Sequence, residues 1–161
     1  MITVRGLSKK FKAFEAVKRI SFEAREGEVL GLLGENGAGK TTTLRMLATM
    51  LKPTEGTAEI NGFDLLKQPD RVRGEIGILF GGEVGIYDRL TARENIRYFA
   101  ELNNMEGSAI DKRIDELADM LDMKDYIDKR VGKFSRGMKQ KVSIARAIVH
   151  NPKVMLFDEP T

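Results

Sequence analysis

The chain has no cysteine. Disulfides and thiolate metal sites are therefore excluded, and a reducing compartment is the simplest fit. No apolar run approaches the ~18 residues that a membrane-spanning helix needs. The opening MITVRGLSKKF lacks the apolar stretch of a signal peptide, which predicts a cytosolic location. An excess of one sign of charge is lacking as well: the net charge of 161 residues is only +3. So mild a balance predicts a mixed, solvated surface and no nucleic-acid partner. No internal repeat, low-complexity linker or sustained heptad pattern is present, which argues against long coiled-coil architectures. The N/TKxD motif is missing too, against a GTP-specific switch protein.

What remains is a globular mixture, 42% apolar and 32% charged, long enough to bury a core in one domain. ITVRGL (2–7) and RISFEA (19–24) alternate as strands with one wet face. EVLGLLG (28–34) is nearly all apolar, the pattern of a strand buried on both faces. From Lys40 the period becomes helical through Leu44, Leu47, Ala48 and Leu51, and Pro53 and Gly56 end the element. TAEING and EIGILF (75–80) read as strands. Thr91 and Glu94 form a capping box ahead of Ile96, Phe99, Ala100 and Met105. Ser108 and Asp111 mark a second helix start, with Ile110, Ile114, Leu117, Ala118 and Leu121 as its apolar face. Residues 135–150 run from a loop into a third helix, and KVMLFDEP (153–160) is a buried strand ending in two acids. This order predicts an α/β fold with a helical insertion at about 88–133.

Residues 34–42, GENGAGKTT, carry the clearest chemistry. Gly34, Gly39, Lys40 and Thr41 match G-x-x-x-x-G-K-[ST], between an apolar run and a helix. A backbone that wraps a phosphate chain needs conformations and close approach that a Cβ forbids. Its N–H groups, those of Glu35, Asn36, Gly37, Ala38 and Thr42 included, then form an anion nest. The helix start adds its positive end. Lys40 brings a full charge to the β/γ-phosphates, and the Thr41 hydroxyl can ligate Mg²⁺. Asp158 and Glu159 close the last strand, at the sheet edge where ligands of α/β folds bind. One carboxylate can hold Mg²⁺ through water, and the next can polarise an attacking water.

With these motifs in place the chain resembles the ATP-binding subunit of ABC transporters, over all its residues and in order. GENGAGKTT corresponds to Walker A, FSRGMKQKVSIARAI to the signature loop and its helix, and VMLFDEPT to Walker B with the loop that follows. The resemblance implies a P-loop NTPase core sheet with an antiparallel β N-terminal part. It implies a core of 1–87 and 134–161 around a helical subdomain of 88–133. ATP and Mg²⁺ would be the ligands, with Phe11 stacked on adenine and Phe14 as the second candidate. Two subunits, as a homodimer or with a related partner, would sandwich two ATP molecules, with Ser135 and Gly137 of one facing the γ-phosphate on the other. Asp158 would be the Mg²⁺ carboxylate, Glu159 the general base and Lys40 a catalytic cation. The partner implied is an integral-membrane permease, which places the protein at the inner face of the cell membrane. Gly81–Tyr87 and the insertion would be its docking surface, and the region 79–105 with the signature looks most like sodium-extrusion exporters. Alternatives are a soluble ATPase of translation or DNA maintenance, or a nucleotide-binding fragment without turnover.

Three departures from the family pattern stand out. Phe134, Arg136 and Met138 replace the usual leucine, glycine and glutamine of the signature. Gly81 and Gly82 stand where a glutamine is usual, with Glu83 beside them as a remote candidate base. The strand expected to carry the family's switch histidine, inserted between the Walker A and Walker B strands, has no counterpart in the 161 residues, and His150 does not replace that histidine. The C-terminal strands are thus absent from this chain. An incomplete sheet, an exposed apolar strand and negligible turnover by these residues alone are expected.

Overall fold

The computed structural model describes residues 1–81 and 85–158. Gly82, Glu83 and Glu159 therefore lie outside the described residues. Two compact units emerge: Met1–Ile76 with Lys153–Asp158, and Gly77–Pro152. The second includes the helix expected within 135–150.

In the first unit, β1 (Ile2–Phe11) and β2 (Phe14–Ala24) form a hairpin whose last pair is Phe11 opposite Phe14. β3 (Glu55–Ile60) pairs with the other edge of β1, and the short β4 (Phe63–Asp64) completes an antiparallel sheet of order β2-β1-β3-β4. The antiparallel N-terminal part is thus observed, and its strands run further than the alternation alone suggested. Register shifts along β1 explain why its burial is not a simple alternation. At one of them the Gly6 N–H donates to Ser21 Oγ at 2.8 Å. A Cβ on Gly56 would lie 2.2 Å from the Gly6 carbonyl oxygen, so β1 and β3 meet there only because residue 56 has no side chain.

α1 (Lys40–Leu47) packs against β6 (Val154–Asp158) and β2. It ends sooner than its apolar spacing predicted, because Thr49 takes a left-handed φ of 58° and turns the chain out. Val4, Leu7, Met46, Leu47, Ile60 and Val72 are the largest fully buried side chains of this unit's core. α2 (Pro69–Glu75) was not anticipated: its one buried side chain, Val72, gives too short a pattern to read.

The expected strand at 28–34 does not form. Val29 and Leu33 are 97% and 95% exposed, and among the described residues the backbone of 29–33 makes no hydrogen bond. A strand is a property of paired chains, and an apolar run without neighbours on either side has no ladder to join. β6 is likewise less covered than expected, with Leu156 buried and Phe157 exposed.

β5 (Ile76–Phe80) leads from the first unit into the second. The second unit contains α3 (Ala92–Leu102), α4 (Gly107–Met120) and α5 (Arg136–Ile148). Ile96, Ala100, Ile110, Ile114, Leu117, Val142 and Ala145 build its core. The Thr91–Glu94 capping box is present in both directions. α4 starts at Gly107 after Glu106, with no side-chain cap, instead of at Ser108. Arg93 bridges Asp128 at 2.7 Å and Asp115 at 2.9 Å. Those two carboxylates hold its guanidinium above its usual pKa range against a smaller opposing effect of burial.

Candidate functional site

Residues 35–39 form a turn that enters α1 at Lys40. Within it the Ala38 N–H donates to the Glu35 carbonyl at 3.1 Å. Gly37 and Gly39 have φ of 86° and 85°, the left-handed region that glycine adopts without strain. Gly39 has a second requirement, since a Cβ there would lie 2.3 Å from the Ala16 carbonyl oxygen and 3.0 Å from Val17 Cγ2. The turn is therefore pressed against the start of β2. Gly34, Glu35, Asn36, Gly37 and Ala38 are exposed, while Thr41 and Thr42 sit half-buried in the first turn of α1.

The Lys40 ammonium folds back over this turn. It donates to the Gly34 carbonyl at 2.6 Å and to the Glu35 carbonyl at 2.9 Å. Of its three N–H bonds, one remains for another acceptor. Thr43, which lies outside the motif, anchors the helix start: its N–H and hydroxyl both donate to the Gly39 carbonyl, at 2.8 and 2.9 Å. Two further oxygens converge at the first turn. The Thr41 hydroxyl donates to Asp158 Oδ1 at 2.9 Å, joining residues 117 apart in sequence. A hydroxyl and a carboxylate in contact are oxygen donors of the kind a hard divalent cation prefers. The residues present thus fit Mg²⁺.

Phe11 lies at the tip of the β1–β2 hairpin, 45% exposed, with the Lys9 ammonium 5.1 Å from its ring centre. Phe14 opposite is 63% exposed. Four residues separate Phe11 from Ala16, whose carbonyl lies close against Gly39, so hairpin tip and turn belong to one neighbourhood of the first unit. The exposure of both rings departs from an ordinary core role.

In the second unit Ser135 is the N-cap of α5, and its hydroxyl accepts from the Met138 N–H at 3.2 Å. No loop intervenes between Ser135 and the helix, so Arg136 and Gly137 already lie in its first turn. The cap uses an oxygen lone pair and leaves the Ser135 O–H free to donate. The segment before α3 is held more firmly than its glycines suggest. Fully buried Asn95 accepts from the Tyr87 N–H at 2.9 Å and donates to the Tyr87 and Thr91 carbonyls at 3.1 and 2.9 Å. Arg146 of α5 donates to the Gly85 carbonyl and lies 4.8 Å from the Phe99 ring centre. Burial moves its pKa below the usual arginine range. Asn95 belongs to no motif, and Arg146 lies in the helix after the signature without having been singled out; their signal was polar residues on otherwise apolar helix faces.

Comparison with known proteins agrees with this geometry. The family model described as "ABC transporter" matches residues 17–161. The chain is 51% identical to the ABC transporter ATP-binding protein NatA of Bacillus subtilis, over its whole length and 67% of that protein. It is 40% identical to the bacitracin transport ATP-binding protein BcrA of Bacillus licheniformis, covering 51% of it. A solved ATP-binding subunit of an ABC transporter superimposes with a TM-score of 0.85 at 29% identity, covering 99% of this chain and 66% of that one. A dimeric ATP-binding cassette in a post-hydrolysis state, bound to ADP and Pi, gives a TM-score of 0.84 at 29% identity, covering 100% of this chain and 75% of that one. The chain thus spans about half to three quarters of these proteins.

Proposed function

Because the chain belongs to the ABC transporter family of ATP-binding proteins, we propose that it binds MgATP on residues 34–42 and forms the ATPase part of an exporter. The observation that carries this reading is the 2.9 Å contact between Thr41 and Asp158, which unites the two acid- and phosphate-handling motifs. In this reading the N–H groups of the glycine turn and the third N–H of Lys40 take the phosphates, and Phe11 stacks on the base. Thr41 and Asp158 hold Mg²⁺, whose charge offsets that of the phosphates. Glu159 removes a proton from the attacking water. Ser135 and Gly137 serve the γ-phosphate bound to a second subunit, with the free Ser135 O–H as donor. Arg136 in the same first turn adds positive charge at that contact.

The work of hydrolysis is assigned to a separate membrane permease, docked on Gly81–Tyr87 and the helical segment 88–133. Among the described residues no helix is long and apolar enough to cross a membrane. Such a protein would sit peripherally at the inner membrane face. Sodium is the cargo we favour from the sodium-extrusion resemblance. A relative named for bacitracin transport at 40% identity supports the view that the permease reads the cargo. We further propose that these 161 residues alone turn over ATP negligibly, since among the described residues the run at 29–33 has no backbone partner.

Calorimetry with MgATP tests the binding. Lys40→Ala should weaken it by about 2–3 kcal/mol, the loss of a charge-assisted bond to an anion. Unchanged affinity in that variant would remove the assignment of residues 34–42.

A further inference from the structure

Segment 85–88 is gripped by the helix that carries the signature turn. Lys139 and Arg146 are seven residues apart on α5, two turns along one face and roughly 10 Å in rise. Both reach the same short segment. The Lys139 ammonium lies 3.4 Å from Asp88 Oδ1, and its side chain is largely buried. Arg146 donates to the Gly85 carbonyl. Gly85 has a φ of 77°, the left-handed region that glycine adopts without strain. Between the two cations, Tyr87 is bonded through both its backbone groups to Asn95 of α3. The Gly132 N–H closes the far side by donating to the Asp88 carbonyl at 3.0 Å.

We propose that Lys139 and Arg146 are positioning residues that strap segment 85–88 to α5, so that displacement of the segment is passed to the Ser135–Gly137 turn. Lys139 is the key element. It stands one turn from Ser135, and its own N–H donates to the Ser135 carbonyl at 2.9 Å. A pull on Asp88 therefore acts within the first turn of α5, where Ser135 also caps Met138. Arg146 holds the other end of the segment and stacks on Phe99, which stops the segment from pivoting about Asp88 alone. The functional meaning rests on the proposed roles of Ser135, Gly137 and the docking segment. The mechanical link does not.

Amide hydrogen exchange in the intact protein, without nucleotide, tests the link by perturbing one side and reading the other. Asp88→Asn should raise exchange at the Met138 and Lys139 amides about two- to fivefold, the worth of one partly exposed ion pair. Amides of Ile114 and Leu117 in α4 should stay unchanged. The charge-exchanged double variant, Asp88→Lys with Lys139→Asp, should restore protection at Met138. Arg146→Lys, which keeps the charge but loses the fork, should raise exchange at Tyr87. Unchanged exchange at Met138 and Lys139 in Asp88→Asn would overturn the proposal. So would an equal rise throughout α4, or no recovery in the charge exchange. Calorimetry with MgATP on the same samples reads the nucleotide assignment independently, so each idea can fail without the other.

Discussion

Replacing Gly39 with alanine sets two penalties on one atom. Its φ of 85° lies in the left-handed region, which costs a side-chain-bearing residue about 1–2 kcal/mol. The added Cβ would also lie 2.3 Å from the Ala16 carbonyl oxygen, where ordinary contact begins at 3.4 Å. Either the turn or the start of β2 must withdraw by roughly 1 Å, an overpacking strain of about 1–3 kcal/mol. The sum is about 2–5 kcal/mol. Gly37 supplies the control, because its φ is 86° but nothing lies within 4 Å of the place a Cβ would take. Gly37→Ala should cost only the conformational part, about 1–2 kcal/mol. Urea unfolding of the two variants measures the difference directly, and calorimetry with MgATP shows whether the displaced turn still binds. Equal destabilisation by the two substitutions would refute the claim that close approach to Ala16, and not backbone conformation alone, demands glycine at 39.

Glu159→Gln should retain MgATP binding, nearly abolish steady-state hydrolysis in the complete protein and trap a dimer visible by size-exclusion chromatography. Asn95→Ala leaves the Tyr87 N–H without its partner, while the Tyr87 and Thr91 carbonyls keep the backbone N–H bonds from residues 90 and 95, and should destabilise the protein by about 1–3 kcal/mol in urea. For Asp64, burial raises the pKa, but N–H bonds from Lys67 and Leu66 and the Thr57 hydroxyl outweigh it and hold the pKa below the ordinary value. The stabilisation this gives is therefore present above the ordinary aspartate pKa and is lost as pH falls through the lowered one. The stability gap between wild type and Asp64→Asn should be steady above about pH 5 and shrink below about pH 4, as read from unfolding midpoints.

The parts of the fold that were legible are those whose causes are local. The Thr91–Glu94 box needs only four residues, and the apolar spacing of Ile110, Ile114 and Leu117 fixes a helix face without knowing its partner. The glycine turn was legible for the same reason, since its conformation is written in Gly37 and Gly39. Residues 28–34 were misread because an apolar run states a preference for burial, while strand pairing depends on neighbours far along the chain. α1 ended early through the backbone conformation of Thr49, a residue type that gives no warning of a left-handed turn. Asn95, Lys139 and Arg146 escaped notice because each looks like a solvated polar residue in one dimension. Only packing shows that their polar atoms point inward to a single segment.

Asn95 also sets which part of this region depends on which. Its amide reaches Thr91 of its own helix, four residues back, as well as both backbone groups of Tyr87. The geometry that receives Tyr87 therefore exists once the first turn of α3 has formed, whereas Tyr87 contributes nothing to forming that turn. α3 is thus the template, and residues 87–90 are the part seated on it. The segment does not leave alone, since Ile86 packs against the core around Ile96 and Ala100 and Lys139 and Arg146 hold its two ends. Its release means opening those contacts together.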